Sequence, residues 1–212
     1  MGYDLGSVRA LAQDAAERPA WSLFAEYCRL RGEGLRSEAL KALDAFIAEA
    51  VVWPLAERVA FSVWVGEQRQ AYRGQPEAVL PVPLFRLLVR PTLEAWAEAS
   101  PGDPWPPLWL ARLSSGGSTW HAPAAPFLAQ ALARDPDFAP ARLDFVLEVM
   151  RGVSYSQHEL PELYLGDAAQ DLADLTMAEA FLRGMELERQ FELRPRLVQA
   201  RQAAARWIEG RG

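Results

Sequence analysis

Apolar residues along this 212-residue chain recur at helical spacing far more often than they alternate. From Ser37 onward they fall at Ala39, Ala42, Leu43, Phe46, Ile47 and Ala50, the i, i+3, i+4, i+7, i+8, i+11 pattern of one helix face. Lys41, Asp44 and Glu49 lie off that stripe and leave it a polar side. Val8, Leu11 and Ala15 mark an earlier helix, capped by Ser7 and ended by Pro19. Trp21, Phe24, Tyr27 and Cys28 mark the inward side of a second, from about Ala20 to Leu30, and Gly32-Glu33-Gly34 turns the chain after it. Val59 to Val65 is apolar on nearly every side, so periodicity alone allows helix or strand. No other run offers a strand partner, and a lone strand leaves its backbone groups unpaired. A buried helix, begun after Pro54 and stopped by Gly74, is therefore expected.

Proline punctuates the rest. Residues 74–83 (GQPEAVLPVP) read as a linker between an N-terminal segment, 1–73, and a second segment, 84–212, the two expected to pack as one unit. Pro83 to Arg90 and Pro91 to Ser100 form two helices or one kinked at Pro91. Trp105 is placed to fold onto Leu110 at the start of the next helix. Further helices are expected from Pro123 to Arg134 and from Phe138 to Arg151. The latter has Asp137 as cap, Gly152 as stop, and Leu143, Val146, Leu147 and Met150 as its stripe. Asp167-x-x-Gln170 and Thr176-x-x-Glu179 both have capping-box form, which fits one helix to about Met185 or two meeting at Thr176. A last helix starts near Pro195 and carries Leu197, Ala200, Ala204, Trp207 and Ile208. The sum is an all-α fold of antiparallel helical hairpins, with roughly nine to eleven helices.

One joint occurs twice. Trp96, Ala99 and Pro104, with Thr92 ahead of them, are matched 32 positions later by Ala124, Leu128, Ala131 and Pro136. Each copy ends one helix with Asp-Pro and starts another. This small, large, small, proline pattern over about residues 92–150 resembles the tetratricopeptide-repeat family. Alanines let two helices approach to about 8–10 Å while larger side chains fill the grooves. The resemblance departs from the family in the first helix, where Ser114 stands at a usual glycine, and after Pro136 the pattern slips by one residue. It implies helical hairpins whose concave surface binds protein segments, with flanking helices stacked as caps. An irregular helical bundle is the alternative.

Composition narrows the partner. A formal charge of −6 argues against nucleic acid as the main ligand. Lys41 is the only lysine, asparagine is absent, and Ile47 and Ile208 are the only isoleucines. That usage fits a high-GC, bacterial-type coding bias. Cys28, the single cysteine, sits in a helical pattern and excludes an intrachain disulfide. The first residues lack a signal-peptide apolar core, and no run reaches the ~20 apolar residues of a membrane span, so a cytoplasmic location and no membrane partner are expected.

Candidate chemistry is sparse. His121 adjoins the Ser115-Gly-Gly-Ser118 stretch, and His158 stands beside Glu159 and Glu162. A zinc helix needs two histidines one turn apart, which this chain lacks, so no metal and no cofactor are expected. No Gly-x-Ser-x-Gly elbow or phosphate loop is present. Between Gly152 and Leu182 there is no Arg or Lys, while Asp167, Asp171 and Asp174 share one face of a continuous helix. They are either an acidic surface for a basic partner or a solvated face opposed by the arginines that follow. Trp105 and Trp109, with Trp120, form either a peptide-binding surface or core beneath a loop. The expected function is a non-enzymatic protein–protein interaction module, an adaptor or immunity-type inhibitor, with Trp105, Trp109, Trp120, Asp167, Asp171 and Asp174 as its contact residues. A small helical enzyme using His121 or His158 with nearby carboxylates is the alternative.

Overall fold

The computed structural model describes residues 5–72, 76–114 and 124–210, and helix is the only regular secondary structure among them. Ten helices of ten or more residues occur there. They are α1 (Leu5–Ala16), α2 (Ser22–Gly32), α3 (Arg36–Ala50), α4 (Leu55–Ala71), α5 (Arg90–Ala99), α6 (Trp105–Ser114), α7 (Ala124–Arg134), α8 (Ala139–Ser156), α9 (Ala168–Arg183) and α10 (Leu187–Glu209). By packing, the chain divides into two compact units, one ending at Pro101 and the other starting at Gly102. Residues 76–80 are not an open tether: Pro76–Val79 is a helical turn, and Ala78, Val79 and Leu80 are buried.

The first unit is organised by aromatic side chains. Phe24, Phe46 and Phe61 are fully buried, and Trp21 and Trp64 nearly so. Phe61 meets Trp21 edge-on at 5.3 Å and Phe24 at 5.2 Å, and lies 4.8 Å from Phe46. Trp64 turns its indole N–H to the Asp14 carboxylate at 2.7 Å, and the Tyr27 hydroxyl donates to the Ala78 carbonyl at 3.0 Å. Each ring thus buries its carbon body and spends its polar handle on a partner. Burial also pushes the Cys28 thiol well above its ordinary range, which leaves it inert.

Two local devices shape this unit. Gly34 has φ 83°, and the Leu35 amide reaches back to the Leu30 carbonyl at 2.9 Å while the Gly34 amide takes that of Arg31. This left-handed close of α2 turns the chain into α3. Ahead of Pro91 the helix widens into a π turn over Phe85–Val89, in which the Arg90 amide donates to Phe85, five residues back. Proline has no N–H and its ring crowds the carbonyl four residues earlier, and the wider turn makes room. Residues 82–99 therefore run as one continuous helical stretch.

The second unit is a stack in which each helix from α6 to α10 packs on its chain neighbour. Leu108 and Ala111 of α6, Ala124, Leu128 and Ala131 of α7, and Ala141 of α8 form one buried cluster. Val146, Met150 and Val153 of α8, Leu175, Ala178 and Leu182 of α9, and Leu193 and Leu197 of α10 form the next. The two Asp-Pro joints are built alike. The Asp103 carboxylate accepts the Trp105 amide, and the Asp135 carboxylate accepts the Asp137 amide, each at 2.9 Å. Proline offers no N–H, so the aspartate bridges to the next donor along the chain. Arg134, just before the second joint, donates to the Asp103 carbonyl of the first at 2.8 Å.

Several local expectations are corrected. Ser7 lies within α1, and Ser37 lies inside α3, whose cap position is Leu35. The α8 helix runs through Gly152 to Ser156; Phe138 occupies its cap position, and the Asp137 carboxylate goes to Arg142 at 2.5 Å. Leu147 is exposed, and the buried stripe is Val146, Met150 and Val153. Asp167 does cap α9, accepting from the Ala169 and Gln170 amides, but Thr176 lies mid-helix and donates to the Leu172 carbonyl. One helix, not two, results. The last helix begins at Leu187, eight residues before Pro195. Pro195 sits on the water side of α10, so solvent can take the place of the missing backbone bond.

Candidate functional site

The joint between α8 and α9 fastens to α10 through one polar chain. Tyr164 is buried and donates its hydroxyl to the Asp171 carboxylate at 2.7 Å. The Gln157 amide reaches that hydroxyl at 3.3 Å and the Ala200 carbonyl at 2.8 Å. Tyr164, Ala168 and Ala204 form a small buried cluster flanked by Leu160, Leu172 and Trp207. Desolvation and then the bond to Asp171 push the Tyr164 hydroxyl up to about 12. Gly166 passes so close that a Cβ there would lie 2.3 Å from the Ser156 hydroxyl oxygen.

Beside this strap, α8 and α10 flank a groove of about 430 Å³. Met150, Ala200 and Ala203 supply apolar floor, and Ser154, Gln157, His158, Gln199, Arg196 and Arg206 its polar lining. Among the described residues no carboxylate lines it. His158 holds its Nδ1 2.6 Å from the Tyr155 carbonyl and its Nε2 2.9 Å from the Glu159 carboxylate. Both neighbours are oxygen acceptors, so the ring is already engaged on both of its nitrogens. A second groove, of about 510 Å³, lies between α1 and α2, but its Arg29 is already clamped by Glu26 and Glu33 at 2.6 Å each.

The residues expected as contacts fare unequally. Asp167 is spent on the α9 cap, Asp171 on Tyr164, and Asp174 accepts from Gln170 at 2.9 Å. The arginines of the last helix oppose this segment at one point, where Arg201 pairs with Glu179 at 2.8 Å. Trp109 is buried, with the Arg112 guanidinium 5.5 Å from its ring centre. Trp105 stands edge-on to Phe138 at 5.0 Å and stays partly exposed. Trp120 and His121 lie outside the described residues. Trp105 and Trp109 stand on α6, whereas Asp171 and Asp174 stand on α9, with Asp167 as its cap.

Sequence reading missed two features of α10. One is the groove face of Arg196, Gln199, Ala203 and Arg206. The other is an exposed apolar stripe, Leu187, Phe191 and Val198, at i, i+4, i+11. The stripe was hidden by taking Pro195 as a helix start, since Leu187 and Phe191 precede it; the groove face lies after Pro195 and shows only when α8 is packed beside it.

Among the described residues no group of three His, Cys, Asp or Glu side chains could hold a metal ion. None of the described helices is long and apolar enough to cross a membrane. No family model, curated protein or solved structure matches the chain.

Proposed function

We propose that this chain is a non-enzymatic protein–protein interaction module, an adaptor or immunity-type inhibitor, working in a bacterial cytoplasm. The observation that carries the reading is the outer stripe of α10. Leu187 is 71% and Phe191 80% exposed, on successive turns of a helix whose other side is buried through Leu193, Leu197 and Ala204. Large apolar side chains left in water beside one another are what a partner surface offers. The stacked hairpins α6 to α10 support the same reading by analogy with tetratricopeptide repeats. In the second copy of the motif Ala124, Leu128 and Ala131 are buried as that resemblance requires, while Ala99 of the first copy is exposed.

The test compares capture by the intact protein with capture by Phe191→Glu, both checked by light scattering. A bacterial protein retained by the monomeric wild type and lost on Phe191→Glu is the expected result. Equal capture by the two proteins overturns the reading. So does self-association of the wild type that the substitution abolishes, because a second copy would then cover the stripe.

A further inference from the structure

Five arginines of α10 lie among the described residues, and three have side-chain partners. Arg189 pairs with Glu192 at 3.1 Å, Arg201 with Glu179 at 2.8 Å, and Arg194 donates to the Gln190 amide oxygen at 2.9 Å. Arg206 has only the Gln202 carbonyl, at 3.2 Å, and Arg196 has no partner among the described residues. These two are also the arginines that line the groove beside α8. They give its lining two guanidinium groups and, among the described residues, no carboxylate, on a chain whose net charge is −6; Glu159, beside the groove, is paired with His158 at 2.9 Å. The local sign is opposite to that of the whole protein, so the groove selects for anions that the rest of the surface repels.

The spacing says which anion. Arg196 and Arg206 are ten residues apart on one helix, about 15 Å along its axis. A lone phosphate or carboxylate does not span that distance. An extended peptide advances about 13–14 Å over four residues. Between the two arginines the lining is small and apolar, Ala200 and Ala203 with Met150, and Gln199 and Ser154 offer hydrogen bonds at its edges. We infer that the α8/α10 groove binds an extended acidic segment of a partner protein, with two carboxylates four or five residues apart on Arg196 and Arg206 and a small apolar residue between them. This rests on the interaction-module reading and gives its partner a chemistry, an acidic one, through a face of α10 distinct from the Phe191 stripe.

The probe is a fluorescein-labelled peptide with two glutamates four positions apart, separated by alanine and leucine, titrated by anisotropy at low salt. Binding in the range of about 10–100 μM is expected, and weakening as salt rises toward physiological strength. Arg196→Glu with Arg206→Glu should weaken it about tenfold or more. Both side chains are exposed, so circular dichroism should be unchanged. Ala203→Leu, which fills the floor and leaves the charges in place, should also weaken it. A peptide with lysines in place of the glutamates should not bind. The inference is overturned if the acidic peptide fails to bind, if the doubly reversed protein binds it as tightly, or if the lysine peptide binds equally. A natural partner captured equally by wild type and the doubly reversed protein also overturns the groove assignment, while leaving the module reading intact. Loss of capture on Phe191→Glu tests that reading separately.

Discussion

The two units solve the same problem, burying helices, by different means. In the first unit, rings from three helices and the turn before α2 meet in one place, and Phe61 alone touches Trp21, Phe24, Phe46 and Trp64. In the second, ring contacts among the described residues include Trp105 with Phe138, Phe145 with Phe181, Tyr155 with His158 and Tyr164 with Trp207, spread along the stack. Its burial is spread over alanine, leucine and valine ladders between consecutive helices. A many-to-many core concentrates energy at a few side chains. A neighbour-to-neighbour stack distributes it. The groove lining and the exposed apolar stripe lie on different faces of α10.

The sharpest way to break this comparison is Phe61→Ala. A fully buried ring with four aromatic neighbours should cost about 3–5 kcal/mol. Phe145→Ala in the second unit, where one ring is touched and burial is partial, should cost clearly less. Denaturant unfolding of both variants measures the difference, and equal losses would erase it. Hydrogen exchange should place the Phe61→Ala damage in α1 to α5.

A smaller effect tests the close joint of the second unit. Gly166→Ala drives a methyl against Ser156, 2.3 Å from its oxygen and 3.0 Å from its Cβ, and should cost about 1–3 kcal/mol. Gly152→Ala lies inside α8 with open space around it and should instead gain about 0.5–1 kcal/mol. The pair of melting temperatures moving in the same direction would contradict this geometry.

The smallest effect is a pH signature. The folded protein holds the Tyr164 proton up to about 12, whereas the unfolded chain releases it near 10. The stabilisation is complete below the unfolded value and is lost as pH climbs through that window, because the unfolded state there binds fewer protons. Tyr164→Phe should therefore flatten the fall in stability between pH 10 and 12 relative to wild type, read by urea unfolding at each pH. An unchanged slope would mean that the hydroxyl is not held by Asp171 and its burial.

What could be read in the chain was whatever depends on near neighbours. The inward residues Val8, Leu11, Ala15, Phe24, Tyr27, Leu43 and Phe46 follow from a 3.6-residue period, and they are buried. The Asp-Pro joints, the Asp167 cap and the helical character of the Val59–Val65 stretch follow from local chemistry in the same way. Where helices stop was not local. Gly152 and Thr176 look like boundaries, yet α8 and α9 run through them because packing on both flanks outweighs a propensity cost of about 1 kcal/mol or less. Pro195 looks like a start, yet α10 runs through it with Leu193 and Leu197 buried on either side. The site was decided in the same way. Asp171 is spent on Tyr164 seven positions away across the α8–α9 joint, Arg201 meets Glu179 twenty-two positions away, and Arg196 and Arg206 face a groove that α8 lines from the other side; only the folded chain brings these groups together.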